Sequence, residues 1–282
     1  MSEQWRERLG TYGVWRGAWQ TTPAIAAGLE LMGYGALWLG GSPDGDLLIV
    51  DELLDATSAL VIGTSIVNIW KDDAGVVAES FHRIESRHPG RFILGIGAGH
   101  REATEQYAKP YEALAAYLDQ LLGHGVPAAG VVLAALGPRV LRLAGERAAG
   151  AIPYLVTPEH TRQARELLGS GPLLAPEHKA VLDSDLAEAR KLGRRRVRNP
   201  YLGLVNYTSN LRRLGFTDAD VTGDGSDRLI GALVALGGPE QVAAQLGAHL
   251  AAGADHVCVQ LLTAADADPT PGYEQLAVAL GL

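Results

Sequence analysis

Along the chain, short apolar runs alternate with stretches whose apolar residues recur every three or four positions. The runs fall at residues 9–14, 35–39, 60–70, 92–97, 130–136, 151–156, 173–182 and 256–262. Continuous apolar runs of this kind, with β-branched residues, predict strands buried on both faces. Between them the spacing predicts helices over 23–32, 47–58, 74–87, 107–122, 139–148, 158–168 and 239–252. Thr22 precedes Pro23 and Thr157 precedes Pro158, a hydroxyl cap followed by proline in the first turn. His160 stands where a capping box would want Glu or Gln, so no such box is expected. Pro176 interrupts the seventh strand.

Helix-length gaps between successive strands demand parallel pairing. Eight such units in about 250 residues is the size of a (β/α)8 TIM barrel; a doubly wound open sheet, the competitor, usually uses fewer strands. The stretch 183–238 is too long for one helix. Its apolar segments at 201–214 and 229–236 predict an extra helical insertion between strands seven and eight, on the barrel rim. No linker-like composition and no repeat divides the chain, so residues 1–282 read as a single barrel domain.

Composition narrows the partners. A hydrophobic content of 47% is ample for a core, and no run of about 18 apolar residues suggests a membrane span. The polar first residues argue against a signal peptide. The lone cysteine, Cys258, excludes a disulfide framework, reads as a buried small hydrophobe and suggests a reducing cytoplasm. A net charge of −8 disfavours nucleic acid. The one basic run, Arg190 to Arg198, reads as an exposed helix end or as an electrostatic patch for an anionic ligand tail.

In a barrel of this kind chemistry sits at the C-terminal ends of the strands. Those tips hold Trp15, Gly41 and Ser42, Asn68 and Trp70, Gly97 to His100, Ala135 to Gly137, and Tyr154 to Thr157. Glycines there allow close approach of a flat ligand, with aromatic walls from Trp15, Trp19, Trp70, Tyr107 and Tyr207, although tight packing explains glycines too and aromatics also fill cores. The stretch RFILGIGAGHRE (91–102) poses the question most sharply, with Gly95, Gly97 and Gly99 followed by His100, Arg101 and Glu102. A dinucleotide fingerprint is excluded, because it needs glycine where His100 stands and an acidic residue about 20 positions on. No His or Cys pair has ligand spacing with an acidic partner, so no metal is expected.

The strand-tip segments ALWLGGS (36–42), GTSIVNIW (63–70), HPGRFILGIG (88–97), AALGP (134–138), YLVTPEH (154–160) and GADHVCVQ (253–260) together resemble the bacterial luciferase-like superfamily, and within it the actinobacterial branch of coenzyme F420-dependent oxidoreductases. The resemblance spans nearly the full length. It implies that Gly97 and Gly99 leave room for an isoalloxazine-like ring, with Gly41 and Ser42 beside it. It implies a non-proline cis peptide within Ser65, Ile66 and Val67, next to Asn68, behind that ring. It puts the cofactor phosphate on the backbone of Ala135, Leu136 and Gly137, at a helix N-terminus, with a hydroxyl from Thr157. His100 falls where such dehydrogenases carry an acidic proton donor, and an imidazole suits that work near neutral pH; Glu102 is the next candidate. The second strand ends in Gly41 and Ser42 where sugar-phosphate dehydrogenases of this type have Asp-His, so that substrate is not expected. A homodimer, as in relatives, is compatible with the apolar helical faces. Three activities follow: hydride transfer between F420 and a small organic substrate, oxygenation with reduced FMN, or cofactor binding without turnover.

Overall fold

The computed structural model describes residues 2–100, 109–264 and 267–282. Its sheet is parallel throughout and curls on itself. The strands are β1 (Tyr12–Gly17), β2 (Ala36–Gly40), β3 (Val61–Thr64), β4 (Val67–Asn68), β5 (Phe92–Gly97), β6 (Val131–Leu133), β7 (Gly150–Ala151), β8 (Leu173–Leu174), β9 (Glu177–Leu182), β10 (Val234–Gly237) and β11 (Val257–Leu261). Their order is β10-β9-β11-β1-β2-β3-β5-β6-β7-β8, with β4 also paired to β5. Pro176, which has no N–H to give, separates β8 from β9. The two are one stretch of chain: Ala175 N–H and Glu177 N–H donate to the carbonyls of Ala151 and Pro153, while the Pro176 carbonyl accepts from Cys258 N–H. This stretch therefore bridges β7 to β11 and gives the TIM-barrel form, with β10 added beyond β9.

Alternation along the strands sorts the core into two layers. Leu37, Leu39, Ile62, Leu94 and Ile96 pack outward with Leu53, Phe81 and Leu118 of the surrounding helices. Ala36, Trp38, Val61, Ile93, Val132 and Cys258 pack together inside. Trp38 fills so much of this interior that a Cβ on Gly63 would lie 2.5 Å from its ring. Its indole N–H donates to His256 Nε2 at 3.1 Å, so the proton of that imidazole sits on Nδ1, which donates to the Gly10 carbonyl at 2.8 Å.

The helices flanking the sheet are α1 (Ser2–Leu9), α2 (Pro23–Leu31), α3 (Leu48–Asp55), α4 (Ala74–Arg87), α5 (Pro110–Gly123), α6 (Pro138–Arg147), α7 (Pro158–Leu168), α12 (Pro239–Ala251) and α13 (Thr270–Leu280). Thr22 and Thr157 cap α2 and α7 through their hydroxyls. Between β9 and β10 lie α8 (Leu186–Arg198), α9 (Val205–Arg213), α10 (Asp218–Val221) and α11 (Asp227–Leu233). These build a second apolar core from Val197, Leu211, Phe216, Ile230 and Leu233, against which Leu136, Tyr154 and Tyr201 pack. The apolar stretch 229–236 differs from its all-helical expectation. It leaves α11 without a break and becomes β10, which pairs with β9. Among the described residues, no helix is long and apolar enough to cross a membrane.

Candidate active site

The C-terminal ends of β1 to β7 open into a cavity of about 520 Å³, within the usual range for a small-molecule site. Its floor is Ile66, Ala134 and Ile152. The Ser65–Ile66 peptide is cis, within the segment where the resemblance implied such a bond. One wall is a run of rings. Trp15 lies 5.2 Å from Tyr154, Tyr154 lies 5.4 Å from Tyr201, Tyr201 lies 5.2 Å from Tyr207, and Tyr207 lies 5.4 Å from His100. Burial pushes the Tyr154 and Tyr207 hydroxyls well above their ordinary pKa, so both are neutral donors. The Tyr154 hydroxyl donates to Gln260 Oε1 at 2.9 Å and meets the Tyr201 hydroxyl at 2.7 Å.

The structure brings Gly41, Ser42, Ser65, Ile66, Asn68 and Gly99 to this cavity, together with His100, Ala135, Leu136 and Gly137. Ser42 holds a left-handed backbone, φ 54°, at the tip of β2, and Lys71 Nζ donates to its carbonyl at 3.0 Å. His100 lies within 3.5 Å of Asn206 Nδ2. Val67, Gly97 and Thr157 do not line the cavity. Val67 is fully buried in the outer core. Thr157 is buried, and its hydroxyl accepts from His160 N–H as the cap of α7. Glu102 and Tyr107 lie outside the described residues.

The glycines of β5 serve the barrel before any ligand. A Cβ on Gly95 would lie 1.9 Å from the Thr64 carbonyl oxygen, and one on Gly97 would lie 2.9 Å from Ala134 and 3.3 Å from Ile66. Gly95 and Gly97 thus allow β3 and the floor to close in. Gly99, φ 61°, turns the chain, and Trp70 holds that turn by donating its indole N–H to the Ala98 carbonyl at 2.8 Å. The space beside Gly41 is likewise taken: Trp19 lies 1.9 Å from where its Cβ would be.

Two side chains far along the sequence stand beside the Gly137 end without lining the cavity, Arg213 near Gly137 and Asn210 bonded to Arg213. Gly137 is the N-cap of α6 without any side-chain cap, which leaves the first N–H groups of that helix unpaired by side chains. The space beside it is open, with only Arg213 Nη2 near, 3.9 Å from a Cβ placed there. The Arg213 guanidinium donates to Asn210 Oδ1 at 3.0 Å. Asn210 Nδ2 is buried without a hydrogen-bond partner, as is His160 Nδ1, whose ring partner Nε2 bonds the Leu136 carbonyl at 2.9 Å. Burial lowers the His160 pKa, with a contribution from Arg213. Uncapped helix donors, a cation and orphaned polar atoms are what a phosphate monoester or diester and its hydroxylated linker would satisfy. Arg213 and Asn210 carry no motif; only the folding of α9 over the mouth brings them here.

Residues 4–256 match the model of the luciferase-like monooxygenase family. The chain belongs to that family. Luciferase-like proteins of known structure share its fold at low identity. An F420-dependent secondary alcohol dehydrogenase in complex with an F420–acetone adduct superposes with a TM-score of 0.72 at 14% identity, covering 96% of this chain and 98% of that one. The coenzyme F420-dependent tetrahydromethanopterin reductase of Methanopyrus kandleri gives 0.68 at 16%, covering 95% and 97%. The oxygenating constituent of 3,6-diketocamphane monooxygenase from Pseudomonas putida, in complex with FMN, gives 0.66 at 16%, covering 95% and 96%. No curated protein matches the chain in sequence. Membership makes this luciferase-like protein an oxidoreductase of a fold used with both F420 and FMN. Among the described residues no group of three or more His, Cys, Asp or Glu side chains is placed to hold a metal ion.

Proposed function

We propose that this luciferase-like protein is an F420-dependent oxidoreductase that moves hydride between the deazaflavin and a small organic substrate. The observation that carries the reading is a cavity that runs from Gly137, at the N-terminus of α6, to His100. The uncapped α6 N-terminus with Arg213 and Asn210 suits the cofactor phosphate. The apolar floor of Ile66, Ala134 and Ile152 suits a flat ring. Histidine is the one residue type among the described lining residues whose ordinary pKa lies near neutrality, and it stands at the mouth as His100. When bound, the deazaflavin supplies or takes the hydride; His100 supplies or takes the proton that balances it at the substrate oxygen. The aromatic wall excludes water from that side. The FMN-bound relative makes oxygenation the competing outcome.

Titration of the purified protein with F420 and with FMN, followed by absorbance and fluorescence, tests the reading. We expect F420 to bind, and oxidation of its reduced form to require an organic substrate rather than oxygen. Arg213→Gln should weaken binding by roughly tenfold, the loss of one charge-assisted hydrogen bond. Gly137→Asp should abolish it in a folded protein, because the new carboxylate occupies and repels the phosphate position. Binding of reduced FMN with oxygen consumption, and none of F420, overturns the reading.

A further inference from the structure

A second cavity, of about 340 Å³, lies on the far side of Tyr154 and Tyr201 from the phosphate end. It is built by β1, β9 and β11, which are neighbours in the sheet, and by the end of α8. It shares Trp15, Trp19, Tyr154 and Tyr201 with the apolar cavity, so the two are neighbours on either side of these rings. The charged side chains among its described lining are Arg16, Lys179 and Arg196, all cationic.

These three cations are not equivalent. Lys179 is buried, paired with Glu177 at 3.0 Å and held 4.0 Å over the Tyr154 ring. Glu177 is itself fixed, accepting from Leu155 N–H at 2.9 Å. That pair is neutral overall, and burial lowers the Lys179 pKa against the pull of Glu177, so the pair adds no net charge to the cavity. Arg16 gives its hydrogen bonds to neutral acceptors, the Gln20 carbonyl at 2.9 Å and the Tyr273 hydroxyl at 3.3 Å, and its Nε is buried with no partner. Asp268 is near enough for Arg16 to lower its pKa slightly, but it bonds Thr270 N–H and does not line the cavity. Arg196 is exposed in the last turn of α8 and forms no ion pair among the described residues, unlike Arg190, Arg194 and Arg198, which pair with Asp227 and Asp224. Among the described lining residues positive charge exceeds negative, and a concave space of that kind selects an anion.

We infer that this second cavity is the subsite for an anionic group of the substrate, a carboxylate, sulfonate or phosphate, gripped by Arg16 and Arg196. The rest of the substrate passes between Trp19 and Tyr154, and its reacting carbon faces the apolar cavity; in this respect the inference rests on the function proposed above. The cofactor tail is not the occupant, since its donors lie across the barrel at α6. The substrate class is thus an acid with an apolar or aromatic body rather than a simple neutral alcohol.

The test uses the full-length protein and two fluorescent probes of nearly the same shape, 8-anilinonaphthalene-1-sulfonate and the uncharged N-phenyl-1-naphthylamine. At low salt the wild type should bind the sulfonate about tenfold or more tightly than the amine, as a charge-assisted hydrogen bond provides. The Arg16→Gln, Arg196→Gln double variant should lose that preference while keeping its affinity for the amine. Arg196→Gln alone changes only an exposed side chain and should lose part of it, which keeps the test open if the double variant fails to fold. Equal affinity of the wild type for both probes, or a preference that survives in the folded variants, overturns the inference. If neither F420 nor FMN binds while the arginine-dependent preference holds, the subsite stands and the redox reading falls. If a cofactor binds but the preference is absent, only the subsite falls.

Discussion

At the scale of single residues, His100 carries the strongest chemical expectation. It stands at the cavity mouth against Tyr207 and beside Asn206. If it handles the proton of the reaction, His100→Ala should lower kcat about 100- to 10,000-fold with little loss of cofactor affinity. His100→Gln keeps a hydrogen bond but no titrating proton, so it should keep full cofactor affinity and still lack rate. Both variants should lose one limb of the pH–rate profile. A His100→Ala enzyme with most of its kcat would reduce the histidine to a wall of the cleft. The residue was legible because it follows the glycine-rich end of a strand. Arg213 and Asn210 were not, since nothing local distinguishes them from the solvated face of a helix. Thr157 was legible as a helix cap, and that is where its hydroxyl is engaged.

At the scale of elements, periodicity told strand from helix wherever runs were long and flanked by caps. It could not say why glycines were there. Gly63 and Gly95 read alike in sequence, yet one yields to the Trp38 ring and the other to the Thr64 carbonyl. Nor could it find β10, because Val234 follows Leu233 of α11 without any turn signal. The Trp38–Gly63 contact gives a direct prediction. Gly63→Ala should destabilise the protein by about 1–3 kcal/mol, the usual cost of overpacking. Trp38→Phe should also destabilise, by removing volume and the donor to His256. Together the two should cost clearly less than their sum, because the smaller ring vacates the space that the new methyl needs. Urea midpoints of the four proteins test this, and strict additivity would show that the contact does not govern packing inside the barrel.

At the scale of the whole molecule, buried histidines tie stability to pH. Burial lowers the pKa of His178 and of His256 to about 4, and of His249 to about 2, with His178 and His249 in contact at 2.9 Å. In the unfolded chain each titrates near 6.5. As pH falls below about 6.5 the unfolded state therefore gains protons that the folded state refuses. Stability is complete above that value and drains away toward about pH 4. Urea unfolding at stepped pH should show the decline, and His256→Asn should make it shallower by up to about 1.4 kcal/mol per pH unit. An unchanged slope would mean that His256 does not contribute. A last consequence follows from Cys258, which is 2% exposed inside the barrel and whose thiol burial pushes well above its ordinary pKa. As the chain's one sulfhydryl, it is shut away from alkylating reagents while the strands around it stay paired. Its modification is therefore a clock that runs only when the barrel itself comes apart, and it leaves motions of the rim unrecorded.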